Sequence, residues 1–214
     1  KTKIGLSAAC LTAVAMSASA LAQTEVIYNN TENYLGLRTS PQNSEIGDIV
    51  NLTAGSGRIL TEFAFEYFAS DNLSGNEFGQ IFIRSVDENL IPGAILFQSS
   101  PFTLESGFNA RFENTLGTVL PTDRVAWTVV FAGFEGTEEA GLLYYNPPTV
   151  GSSPTFEGQD FMIQRNADGT FAFVDVPGVS DNLSARFTAV PEPTTWALIL
   201  GGLAGFGLLR RRKA

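Results

Sequence analysis

Between residues 23 and 190 the chain shows no helical period, and it alternates repeatedly. Phe63, Phe65 and Tyr67 share one side of the stretch 60–68, with Glu62, Ala64 and Glu66 on the other. Phe108, Ala110 and Phe112 alternate with Asn109, Arg111 and Glu113, and Val125, Trp127, Val129 and Phe131 with Ala126, Thr128 and Val130. Leu183, Ala185, Phe187 and Ala189 alternate with Ser184, Arg186 and Thr188. A period of two marks strands, because successive side chains point to opposite faces of a sheet. Such strands cannot bury an apolar side alone, so the chain must pair them into sheets and pack the sheets together.

Further strands are expected at residues 26–29, 46–52, 80–86, 94–98, 141–145, 161–164 and 171–174. Turn residues separate them: Gly55-Ser56-Gly57, Ser74-Gly75-Asn76, Pro92-Gly93, Pro121-Thr122-Asp123, Asn146-Pro147-Pro148, Asp168-Gly169 and Pro177-Gly178. Asn166-Ala167-Asp168-Gly169-Thr170, between two apolar runs, predicts a hairpin. About eleven short strands without a cysteine among them predict an all-β domain over residues 23–189, an antiparallel β-sandwich of jelly-roll type. Most of the 17 phenylalanines fall in these strands and are expected to fill the space between the sheets. Residues 146–159 carry no strand pattern and are expected to form a surface loop.

Composition bounds the chemistry. Histidine is absent, the single cysteine is Cys10, and the lysines are Lys1, Lys3 and Lys213. Residues 23–189 therefore hold no Ser-His-Asp or Cys-His site, no imidazole or thiolate metal ligand and no Schiff-base lysine. A carboxylate pair would suit glycoside hydrolysis. Glu62 and Glu66 share the polar side of one strand, and Glu138 and Glu139 lie in a loop flanked by glycines. Nothing places two of them across a cleft, so surface acids are the simpler reading. Asn166-x-Asp168-Gly169 and Asp87-Glu88-Asn89 resemble fragments of a calcium loop but lack its closing ligands; turns are the simpler reading, and no metal or cofactor is expected. Trp127, Tyr67, Tyr144 and Tyr145 are candidates for a sugar-stacking platform. Trp127 and Tyr67 fall on the expected core side, and Tyr144 and Tyr145 must point to opposite faces.

The net charge is −9, and Lys1, Lys3, Arg210, Arg211, Arg212 and Lys213 all lie near the ends, so residues 23–189 are more acidic still. Nucleic acid and anionic membrane surfaces are disfavoured as partners. At the front, Lys1 and Lys3 precede an apolar run over residues 4–18. Ala20 and Ala22 then supply the small residues of a cleavage site that starts the mature chain at Gln23. This predicts a signal peptide over residues 1–22, read by Sec-type export machinery. Cys10 lacks the aliphatic residue three places before it that a lipid-anchored cysteine needs.

The last stretch, 190–214, has three parts. Val190-Pro191-Glu192-Pro193 is followed by the apolar run 196–209 and then by Arg210-Arg211-Arg212-Lys213. The prolines fix φ and lack donors, so a helix is expected only from Thr194, spanning 194–209. At about 1.5 Å per residue the run 196–209 reaches roughly 21 Å, short of a bilayer core of about 30 Å. Threonines at one end and snorkelling Arg210 at the other narrow that gap. The basic tail 210–214 is expected to stop transfer on the cytoplasmic side of the inner membrane.

This motif, span and basic stop resemble the PEP-CTERM sorting signal, found on exported proteins of Gram-negative bacteria that also make exopolysaccharide. The resemblance implies recognition by exosortase, an integral-membrane cysteine protease or transpeptidase, with cleavage near Pro191-Glu192-Pro193. The chain would be an inner-membrane-anchored precursor, passing transiently through 196–209, and then a cell-surface or extracellular (biofilm) matrix protein. A second resemblance covers residues 46–131. Asp87-Glu88-Asn89-Leu90-Ile91-Pro92-Gly93 after one strand, and Leu120-Pro121-Thr122-Asp123-Arg124-Val125-Ala126-Trp127 entering another, are similar to β-sandwich ectodomains of the choice-of-anchor type. That implies a fold and no catalytic residues. The expected function is non-enzymatic. The alternatives are a carbohydrate-binding module for exopolysaccharide and a secreted carboxylate-dependent hydrolase.

Overall fold

The alternating stretches pair as their period demands. A computed structural model describes residues 24–40, 43–175 and 182–191. Ala20, Ala22 and Gln23, the motif residues Glu192 and Pro193, the span 194–209, and Arg210, Arg211, Arg212 and Lys213 lie outside the described residues. Within them every regular element is a strand, and no helix is long and apolar enough to cross a membrane. The strands are β1 (Glu25–Asn29), β2 (Tyr34–Arg38), β3 (Ser44–Asn51), β4 (Arg58–Ala69), β5 (Phe78–Val86), β6 (Pro92–Gln98), β7 (Phe102–Thr103), β8 (Gly107–Leu120), β9 (Arg124–Ala132), β10 (Ala140–Tyr145), β11 (Met162–Arg165), β12 (Phe171–Val174) and β13 (Arg186–Pro191).

Two antiparallel sheets result, the sandwich that the pattern predicts. One runs β1-β13-β4-β10-β2 with β8 also on β4; the other runs β12-β11-β3-β9-β5-β6 with β7 on β5. The core lies between them within the compact unit Glu25–Ala189. Phe63 and Phe65 of β4 meet Trp127 of β9 at 5.3 and 5.9 Å between centroids, and Tyr67 meets Phe131 at 6.3 Å. Tilted ring pairs of this kind add about 0.5–1.5 kcal/mol each to the burial of their area. The expected hairpin forms: Asn166 N donates to Thr170 O at 2.8 Å and Gly169 N to Asn166 O at 3.0 Å. Asp123 sits in the turn before β9 and accepts from Gly55 N and Ser56 N, both at 2.7 Å. Residues 146–159 hold isolated bridges but no strand, as expected of a loop.

The structure departs from the sequence reading, or adds to it, in four places. β2 and β7 carry no alternating signal. β2 is exposed along its whole length, contains Gly36 at φ 74°, and is held by main-chain pairing to β10 rather than by a buried side. That junction needs Gly141, where a Cβ would stand 1.7 Å from Thr39 O. The last strand is displaced: Leu183 makes an isolated bridge to Tyr144, and β13 runs from Arg186 to Pro191.

The polar side of the second sheet is not solvent. Ile49, Ala126, Phe161 and Ile163 form a second buried cluster with Phe171 and Phe173 packed on it. Finally, Phe108 and Phe112 do not fill the space between the sheets. The register Phe65↔Arg111 and Ala64↔Phe112 puts Arg111 on the inner side of β8 and both phenylalanines on the outer side.

Candidate functional sites on the first sheet

β13 is the element that joins the body to the sorting segment. Its apolar residues fall on alternate positions, so the strand buries one side: Phe187 and Ala189 are fully buried. Phe187 packs on Phe63 at 4.8 Å and edge-on to Tyr28 at 6.1 Å. Along the sheet it is flanked on both edges, by β1 and by β4. Glu25 pairs with Ala189, Val26 with Thr188, Tyr28 with Phe187 and Asn29 with Arg186. On the β4 side Thr61 Oγ1 donates to Thr188 O at 3.0 Å, and Arg186 Nη2 lies 2.5 Å from Glu62 Oε1. β13 ends on Val190 and Pro191, the first two residues of the Val190-Pro191-Glu192-Pro193 motif. The motif thus follows the folded body with no linker.

The outer side of the same sheet carries an exposed aromatic face. Phe108, Phe112 and Tyr34 are 62%, 49% and 43% exposed. Phe108 lies 5.3 Å from the Phe68 ring and 6.4 Å from Tyr34, and Tyr34 lies 5.2 Å from Tyr145. Phe112 is four residues further along β8, about 13 Å on an extended strand. Charges frame the rings. Arg38 stacks on Phe68 at 3.5 Å from the centroid and pairs with Glu139 at 2.9 Å. The Tyr145 hydroxyl donates to Glu66. Burial pushes that hydroxyl's pKa up, and the hydrogen bond and charge of Glu66 add to the rise, so Tyr145 stays a neutral donor.

The residues singled out from sequence are distributed as follows. Trp127 and Tyr67 belong to the core. Tyr144 points inward and Tyr145 outward, but neighbours cover both. Glu62 and Glu66 are on the outer side, held by Arg186 and Tyr145. Glu138 Oε2 accepts from Glu135 N at 2.7 Å and Glu139 pairs with Arg38. Asp168 accepts from Thr170 N and Oγ1, and Asp87 from Asn89 N and Ile91 N; both act as turn acceptors. Among the described residues no group of three or more His, Cys, Asp or Glu is arranged to hold a metal. The face made by Tyr34, Phe68, Phe108 and Phe112 escaped the sequence reading. Its one visible trace was the Phe108-x-Ala110-x-Phe112 alternation, which has the same form whichever side is buried.

No curated protein matches the chain. A solved structure described as "Structure of infectious bursal disease virus Gx strain" has 11% identity and a TM-score of 0.32 over 80% of this chain and 41% of that one. The chain spans less than half of that protein's length, and the likeness is too slight to bear on fold or function. One family model matches, the PEP-CTERM protein-sorting motif, at residues 189–213. The match begins at Ala189, the third residue from the end of β13, and takes in the whole proline motif, apolar run and basic stop that the sequence sets apart. The chain carries a PEP-CTERM sorting motif and is an exported protein sorted by exosortase.

Proposed function

We propose that the protein is a non-enzymatic component of the cell surface or extracellular matrix, delivered as a membrane-anchored precursor and processed at Val190-Pro191-Glu192-Pro193. The observation that carries this reading is the sorting motif, which begins within the last strand of a sandwich. It is supported by the acids considered for catalysis: Glu62 and Glu139 are in ion pairs, Glu66 accepts from the Tyr145 hydroxyl and Glu138 closes a turn, and none faces another across a cleft. The test is the intact mass of the protein from its own cells, with and without the sorting enzyme. A product starting at Gln23 and ending near Pro191–Pro193 only when the enzyme is present supports the reading. A product that keeps 196–214 in both cases overturns it.

A second reading, binding of exopolysaccharide, is favoured by the exposed rings of Tyr34, Phe108 and Phe112. Pyranose rings present C–H edges that pack on the electron-rich face of an aromatic ring, and neighbouring carboxylates and guanidinium groups bond sugar hydroxyls. Titration of the body with the cell's own polysaccharide tests it. Phe108→Ala with Phe112→Ala is expected to weaken binding at least tenfold while the unfolding free energy stays within about 0.5 kcal/mol of the parent for each substitution, since both rings are exposed. Equal binding by parent and variant sinks this reading. Hydrolysis of the polysaccharide that disappears with Glu62→Gln or Glu66→Gln would replace it with a carboxylate-dependent hydrolase.

A further inference from the structure

The proteolytic reading of the tail meets a constraint in the fold. A protease that takes its substrate as an extended chain needs the main-chain groups of several residues before the scissile bond to be free to pair with its own strand. Here residues 186–189 are already strand, flanked by β1 on one edge and β4 on the other. Phe187 and Ala189 are buried, and Thr188 O is taken by Thr61 Oγ1. Strand structure continues through Val190 and Pro191, so no spacer separates these residues from the motif.

We propose that the folded body and the sorting protease compete for the same stretch of chain, so that folding of β13 gates processing. Cleavage is fast on a chain whose β13 has not yet inserted between β1 and β4. Once β13 is inserted, cleavage waits for its C-terminal residues to open. The sheet therefore acts as a timer: a molecule that folds before it meets the protease is cut slowly and stays anchored for longer, and one that meets it first is cut quickly. The inference rests on exosortase processing at the motif. It adds that the body, and not the motif alone, sets the rate.

The full-length precursor, folded and solubilised in detergent, is incubated with membranes containing the protease, and the cleaved fraction is followed by mass. Parent chain is compared with a variant carrying about ten Gly/Ser residues between Ala189 and Val190. The insert leaves residues 186–189 paired and gives the motif a free extended approach. The insert is expected to raise the cleavage rate at least tenfold, with amide-exchange protection of residues 186–189 unchanged. Phe187→Ala, without an insert, should also speed cleavage, because it weakens the anchor that holds the strand in place. Equal rates for parent and insert, both cut, overturn the gating and leave the processing reading standing. No cleavage of either chain overturns both.

Discussion

Glu45 of β3 makes the sharpest test of how the second sheet is held. Its Oε1 accepts from Arg84 Nη2 at 3.0 Å and Thr128 Oγ1 at 2.6 Å, and its Oε2 meets Arg165 Nη1 at 3.3 Å. The Glu45 and Arg84 side chains are 4% and 8% exposed, whereas Arg165 is 45% exposed. At about 3 Å and an effective dielectric constant near 20, the inner pair attracts by ~5 kcal/mol, against a desolvation penalty of several kcal/mol for each ion. The pair is thus close to neutral relative to apolar residues of equal volume, but either ion alone is costly. Glu45→Ala should cost about 3–5 kcal/mol, a large share of a domain's usual 5–15 kcal/mol. The double variant Glu45→Leu with Arg84→Met should recover most of that loss, since Phe82 and Phe171 already pack around the guanidinium at 5.1 and 5.4 Å. Arg165→Ala should cost about 1 kcal/mol or less. Urea unfolding of residues 23–191 measures all three. A single-variant loss under 1 kcal/mol, or a double variant no more stable than Glu45→Ala, refutes the argument.

Two further perturbations probe other parts of the body. β8 pairs with β4 along one edge and with no strand along the other among the described residues; Arg111, on its inner side over Phe102 and bonded to Glu113, is a charge that an added strand would bury. Arg111→Val should therefore promote self-association, read as a shift from monomer to larger species in sedimentation velocity, and an unchanged monomer would remove the protective role. Burial works to raise the pKa of Glu77, but hydrogen bonds from Ser74 Oγ, Ser74 N and Gly75 N outweigh it and lower the value from 4.5 to about 2. A depressed carboxylate contributes stability above its unfolded pKa and loses it as the pH falls through the folded one. The stability difference between parent and Glu77→Gln should therefore be constant above about pH 5 and shrink steadily towards pH 2; a difference that does not change over that range would contradict the assignment.

The period of most strands, the positions of the turns and the excluded chemistry were all legible in the chain alone. Phe63-x-Phe65-x-Tyr67 and Trp127-x-Val129-x-Phe131 were legible as core strands because one side of each is apolar over several residues. The sorting segment was legible too, since its proline motif, apolar run and basic stop are local features of the chain. Which side of an alternating strand meets the core became visible only in the assembled sheets. A period of two has no sign: Phe108 and Phe112 lie outside because β8 is registered on β4 with Arg111 opposite Phe65. Ala126 and Ile49 lie inside because Phe161, Phe171 and Phe173 cover a side that would otherwise face water. β2, exposed throughout, is held by main-chain pairing to β10 and left no pattern to read. That β13, which runs into the motif, is flanked on both edges likewise came from pairing between residues far apart in sequence. Local side-chain order sets the period of a strand, but hydrogen-bonded partners and the layers packed above it set its register and burial, and those partners come from distant parts of the chain.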